Sequence, residues 1–281
     1  MKKILIYLLS IIILSIIRCY FKCDIFNITL DEFIYYSNYI PIFLLPAILI
    51  EEFSKNSKWY FVGINIDIYL IRDIFIGVIT AVLSVGLIVL IALAFFDISI
   101  YFNRSNISNF LINVPTILNN VGVEELLFRG LIFQIIMRSW RQTYTVIISS
   151  LLFAISHIFF IDYMNFVLFM NTFLAGILFC QMYIKTNSLW LPFSFHSMWN
   201  ISIFLFWERS SKKLMYNDSI FNIVFNDKNN TFQNILFGNY YNFESGILCT
   251  IILCILIYFT ITKVKPSYGI NAEILKREYL P

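Results

Sequence analysis

Only two histidines occur in the 281-residue chain, His157 and His196, and both lie in apolar runs. Of its 17 carboxylates, Glu124 and Glu125 alone fall well inside such a run, and of its 20 Lys and Arg only Arg129 does. An ionisable side chain at the centre of a membrane helix costs on the order of 2.5–3.5 kcal/mol on insertion scales, so its presence there points to a task. On a helix, Glu125 and Arg129 stand four residues apart with the acid first, the favourable order for an ion pair. Glu124 points about 100° away from Glu125. The two acids therefore have different jobs: Glu125 is neutralised by Arg129 and supports structure, and Glu124, without a local partner, is the candidate general base. Asn200 follows His196 by four residues, so imidazole and carboxamide share a face and can converge on one ligand. Phe153 stands in the same relation to His157 and would floor its ring.

Hydrolysis of a peptide bond needs an activated water, a stabiliser for the tetrahedral oxyanion and a proton donor for the leaving amine. Glu124 and His157 would hold and deprotonate the water, a task worth a factor of about 10² to 10⁴. His196 and Asn200 offer N–H donors from one face, and an oxyanion donor is worth roughly 3 kcal/mol. A metal reading uses the same residues: Glu124, His157 and His196 would make a two-His, one-carboxylate zinc site with a position left for water, whereas the glutamate-base reading requires no cofactor. Sequence leaves both open. Ser156 and Ser197 each adjoin a histidine, but neighbours on a helix do not face each other, and neither lies in a G-x-S-x-G elbow. Asn119, Asn120, Asn171 and Gln181 are expected to bond helix to helix.

The elements that must carry these groups are membrane helices. The chain is 59% apolar and 13% charged, about half the charge of an ordinary soluble domain, with a mean hydropathy of +0.78. A net charge of +3 is too balanced to imply nucleic acid. Five cysteines, Cys19, Cys23, Cys180, Cys249 and Cys254, show no disulfide or metal-site spacing. A bilayer core about 30 Å thick takes a helix of roughly 17–25 residues, and eight spans are expected near 4–17, 33–50, 74–96, 110–137, 144–161, 166–184, 190–207 and 245–262. The first follows Lys2 and Lys3 but ends at Arg18, Cys19 and Tyr20 rather than in a small-residue cleavage pattern. The positive-inside rule puts both termini in the cytoplasm, because Lys55, Lys58, Arg72, Arg138, Arg141, Lys185, Lys263 and Lys265 then fall inside. The expected fold is all-α, a single polytopic membrane domain over 1–281 with a catalytic core at 110–207 and a polar outer loop at 208–244. With upright spans, His157 lies near the outer end of its helix and His196 nearer the inner end of its own, a mismatch of roughly 10 Å at 1.5 Å per residue.

At these residues the chain resembles the CAAX protease and bacteriocin-processing family (CPBP, also called Abi) of intramembrane proteases. Its E-E-x-x-x-R motif reads as Glu124 to Arg129, its F-x-x-x-H as Phe153 to His157, and its H-x-x-x-N as His196 to Asn200, complete and in order. The resemblance implies an eight-helix fold with the site in an internal cavity. Within it Glu124 and His157 would activate water, His196 and Asn200 stabilise the oxyanion, and Glu125 and Arg129 support them. Relatives include type II CAAX prenyl endopeptidases and bacteriocin immunity and maturation proteins. Richness in Ile, Asn, Lys, Phe and Tyr suggests an AT-rich bacterium, where CAAX prenylation would be unexpected. The expected substrate is a peptide or membrane-associated protein, met in the bilayer of a bacterial cell membrane. The competing expectation is a non-catalytic membrane protein, either an immunity factor or a transporter.

Overall fold

The computed structural model describes residues 63–264, except 65, 138, 159–163, 208–218, 228 and 239–242. The expected spans at 4–17 and 33–50 lie outside the described residues. The other six expected runs are helical: α1 (Leu70–Phe95), α2 (Ile107–Glu125) continued by a π-helical stretch (Leu126–Ile132) and α3 (Phe133–Met137), α4 (Gln142–Ile158), α5 (Phe166–Thr186), α6 (Trp190–Phe206) and, after a short α7 (Thr231–Phe237), α8 (Ile247–Thr262). Two of them, α1 and α5, are long and apolar enough to cross a membrane, and α4 and α8 are shorter apolar helices. The arrangement turns large apolar side chains outward. On α1, Ile71, Phe75, Leu83 and Leu90 are exposed, and on α8 Ile247, Ile251, Ile255 and Phe259 form an exposed stripe four residues apart, while Arg129, Glu125 and His196 are buried. Apolar faces outward and ionisable groups inward are what a membrane-embedded helix bundle is expected to show.

The all-α expectation needs one correction. Ile98–Phe102 (β1) pairs antiparallel with Phe221–Phe225 (β2), Ile98 opposite Phe225 and Phe102 opposite Phe221. The described part of the expected polar loop is thus folded, because its aromatics find partners: Phe225 and Phe237 both pack on Phe96 at the end of α1. The sheet joins the C-terminal ends of α1 and α6, with Phe206 stacked on Phe221.

Two glycines let backbones approach where the chemistry is mounted. A Cβ on Gly77 of α1 would stand 2.0 Å from Ser194 Oγ and 2.8 Å from Phe195 N of α6. One on Gly176 of α5 would stand 2.9 Å from Ser150 Cα of α4. Small residues at such crossings are how membrane helices gain van der Waals contact without a hydrophobic drive. Helix α5 is bounded locally by its residues: the Asn165 side chain accepts from Leu168 N at 2.8 Å, and Asn187 closes the other end in a left-handed conformation, φ 50°. The turn to α6 that follows fixes where His196 sits along its helix.

Candidate active site

Glu124 and Glu125 are the last two residues of α2, and Arg129 lies in the π-helical stretch that follows. Arg129 Nη1 meets Glu125 Oε1 at 3.0 Å with both side chains enclosed. A buried ion pair alone recovers little of its desolvation cost, and here further partners compensate. Arg129 Nη2 donates to the Gly176 carbonyl at 3.3 Å, and the guanidinium lies 4.4 Å from the Phe153 ring centroid and 4.8 Å from that of Phe179, cation–π contacts strengthened by desolvation. The pairing expected from the four-residue spacing is present. Phe179 and Gly176 carry no signal in the sequence beyond an aromatic and a glycine in an apolar run, although a mid-helix glycine does hint at a close crossing.

Each histidine is held by its Nδ1. In His157 that atom stands 2.8 Å from the Phe153 carbonyl. A carbonyl only accepts, so the ring donates there and turns an Nε2 lone pair toward the site. The ring lies 4.5 Å from that of Phe153, the expected floor. Ser156 Oγ comes within 3.4 Å of the same Nδ1, closer than the neighbour rule suggests, yet its proton goes to the Phe153 carbonyl at 2.7 Å. In His196, Nδ1 is 2.9 Å from Glu125 Oε1, and the ring stacks on Phe179 at 4.7 Å. This contact between Glu125 and His196 links residues 71 apart and has no local signature.

The two Nε2 atoms are each 3.9 Å from one atom, Glu124 Oε2. That oxygen is enclosed and has no hydrogen-bond partner, although Glu124 as a whole is about one-third exposed. So the depth mismatch expected from upright spans is absent. Ring packing across the helices brings the two levels together: Phe153, one turn before His157, lies 6.0 Å from both the His196 and the Phe179 ring, and Phe179 in turn stacks on His196. The two acids do face different ways, and both reach His196, Glu125 at Nδ1 and Glu124 toward Nε2. Asn200, one turn beyond His196, is half-buried on α6. Its side chain makes no hydrogen bond among the described residues, and in this it is like Glu124.

Ligands about 2.1 Å from a tetrahedral zinc stand roughly 3.4 Å apart, closer than the 3.9 Å found around Glu124. Among the described residues no group of three or more His, Cys, Asp and Glu is arranged to hold a metal ion. Glu124, His157 and His196 thus meet at one place, at carboxylate-to-imidazole separations wider than zinc ligands take.

Residues 104–202 match the model of a family described as type II CAAX prenyl endopeptidase, Rce1-like. The match spans Glu124, Glu125, Arg129, Phe153, His157, His196 and Asn200, and it supports an intramembrane endopeptidase of the CAAX-protease type. No curated protein and no solved structure matches the chain.

Proposed function

We propose, from the Rce1-like domain at residues 104–202, that the chain hydrolyses a peptide bond of a peptide or membrane-associated protein with a water activated by Glu124 and His157. The observation that carries this is the placing of two imidazole Nε2 atoms 3.9 Å from one carboxylate oxygen. That is too far for a direct hydrogen bond and suits a bridge through one water oxygen. The His157 lone pair and Glu124 Oε2 would accept its two protons. As the oxygen attacks the substrate carbonyl, Glu124 takes one proton and later passes it to the leaving amine. His196 already donates from Nδ1 to the Glu125 carboxylate, so it serves the oxyanion from Nε2 as an imidazolium. Glu125 holds that cation, as a carboxylate orients histidine in other hydrolases. Asn200 Nδ2 supplies the second donor. The balance is neutral, with Glu124 and Glu125 against Arg129 and imidazolium.

A zinc bound by Glu124, His157 and His196 would instead supply a metal-activated water, and these residues would have to close up to hold it. The placing of both termini in the cytoplasm of a bacterium, with several spans in its cell membrane, belongs to the same reading. The experiment is cleavage of membrane-associated peptides by purified protein in detergent. Glu124→Gln and His157→Ala should each abolish it while the protein stays folded, and peptides that co-purify with Glu124→Gln identify the substrate. Undiminished cleavage by both variants overturns the reading.

A further inference from the structure

Among the described residues, enclosed side-chain polar atoms without a hydrogen-bond partner gather around the site. They are Asn120 Oδ1, Glu124 Oε2, Glu125 Oε2, Arg129 Nε and Ser197 Oγ, with Ser219 Oγ apart from them. The glutamates and the arginine have other bonds or a part in the reaction, but Asn120 has neither. Its place is informative. Four residues before Glu124 on α2, it stands on the same helix face, one turn from the base. Helices α2 and α6 run antiparallel between two anchors, the stacked rings of Phe110 and Phe204 at 5.4 Å and the bond from Glu125 to His196 at 2.9 Å. Asn120 lies between the anchors on α2 and Asn200 between them on α6. Both carboxamides therefore stand on the same side of the Glu124 and His196 pair, toward the phenylalanine end.

A carboxamide has the donor and acceptor pattern of a peptide group, and the two pair reciprocally. Asn120 is half-buried, and its Oδ1 is enclosed and unpaired just as Glu124 Oε2 is. An unpaired buried carbonyl oxygen is unfavourable until a donor arrives. An extended peptide crossing the site brings one at every residue. We infer that Asn120 is a substrate-binding residue, pairing with the backbone amide of the peptide one turn from Glu124 and so holding the chain in extended form across the base. The inference rests on the peptidase reading and names its substrate chemistry: an unfolded segment, recognised by its main chain rather than by side chains.

The test measures binding, not cleavage. Full-length protein carrying Glu124→Gln is titrated in detergent with a fluorescent degenerate peptide library, which suits a contact indifferent to side chains. Adding Asn120→Leu weakens binding about tenfold. An N-methylated version of the library, lacking the donor, binds about tenfold more weakly to the Glu124→Gln protein and no worse still to the double variant. Thermal unfolding of Asn120→Leu is unchanged or higher, because an apolar replacement removes an unpaired buried acceptor. A structural bond at Asn120 would give a lower transition. Equal binding of the amide library with and without Asn120→Leu, additive losses on methylation, a lowered transition, or no binding at all overturns the inference. Failure of the unsubstituted protein to cleave while the binding pattern holds counts against the hydrolytic mechanism instead.

Discussion

Two asparagines, one buried and one half-buried, separate the parts of the molecule that hold it together from the part that acts. Asn171 on α5 is saturated. Its Nδ2 donates to the Glu244 carbonyl at 2.6 Å and the Gly246 carbonyl at 3.1 Å, and its Oδ1 accepts from Thr250 Oγ1 at 2.6 Å, tying α5 to the start of α8. Beside it, Trp199 Nε1 donates to Glu244 Oε1 at 3.0 Å and fastens the same turn to α6. Around Glu124 the opposite holds, with enclosed polar atoms left without partners. A polar network is rigid when complete and reactive when atoms are left to be satisfied by something that enters. The expectation that both Asn171 and Asn120 bond helix to helix is met at Asn171 alone. Residue type could not separate them, since both asparagines sit in apolar runs.

Four perturbations test this contrast. The largest effect is expected at the open region: Glu124→Gln should lower kcat by a factor of about 10² to 10⁴, the worth of a general base, with thermal unfolding unchanged. A variant that unfolds with its activity loss would make Glu124 part of the scaffold. Next, Arg129→Ala leaves the Glu125 charge enclosed without its cation and should cost about 3–5 kcal/mol of stability, read by chemical denaturation in detergent. Smaller is Asn171→Leu, which strands two carbonyls and the Thr250 hydroxyl and should cost about 1–3 kcal/mol. Cleavage per folded molecule should persist, and a selective loss of kcat would erase the distinction between the two regions. The smallest effect, no change in rate, is expected on treatment with a divalent-metal chelator, measured alongside metal analysis of the purified protein. A rate that collapses and returns with zinc would favour the ligand reading of Glu124, His157 and His196.

Much of the site is legible in the sequence because membrane burial makes polar residues conspicuous. Glu124, Arg129 and both histidines stand out as expensive groups, and their spacing within each helix gives the Glu125 pair and the Phe153 floor. The six expected runs within the described residues are also helices, since an apolar run of that length has few alternatives in lipid. What the sequence does not carry is relative height and rotation between helices. Upright spans misplace His157 against His196 because the level at which α4 meets α6 depends on contacts distant in sequence, such as Phe153 and Phe179 against the His196 ring. The bond from Glu125 to His196 was hidden for the same reason. Strand β2 escaped because its region is polar overall, while the residues that bury, such as Ile223 and Phe237, are a minority in it.

Seven residues, Leu126–Ile132, run as a π-helix between the two glutamates and α3. Such stretches are rare and recur where function is placed. Each residue removed from an α-helix turns everything beyond it by about 100°. Straightening these seven residues into α-helix without removing one would swing Phe133 away from Tyr183 and rotate the whole connection into α4, with Phe153 and His157 at its far end. Conservative replacement within this stretch leaves the angular phase untouched. The alignment of base and imidazole is thereby set by how many residues the chain spends at this joint.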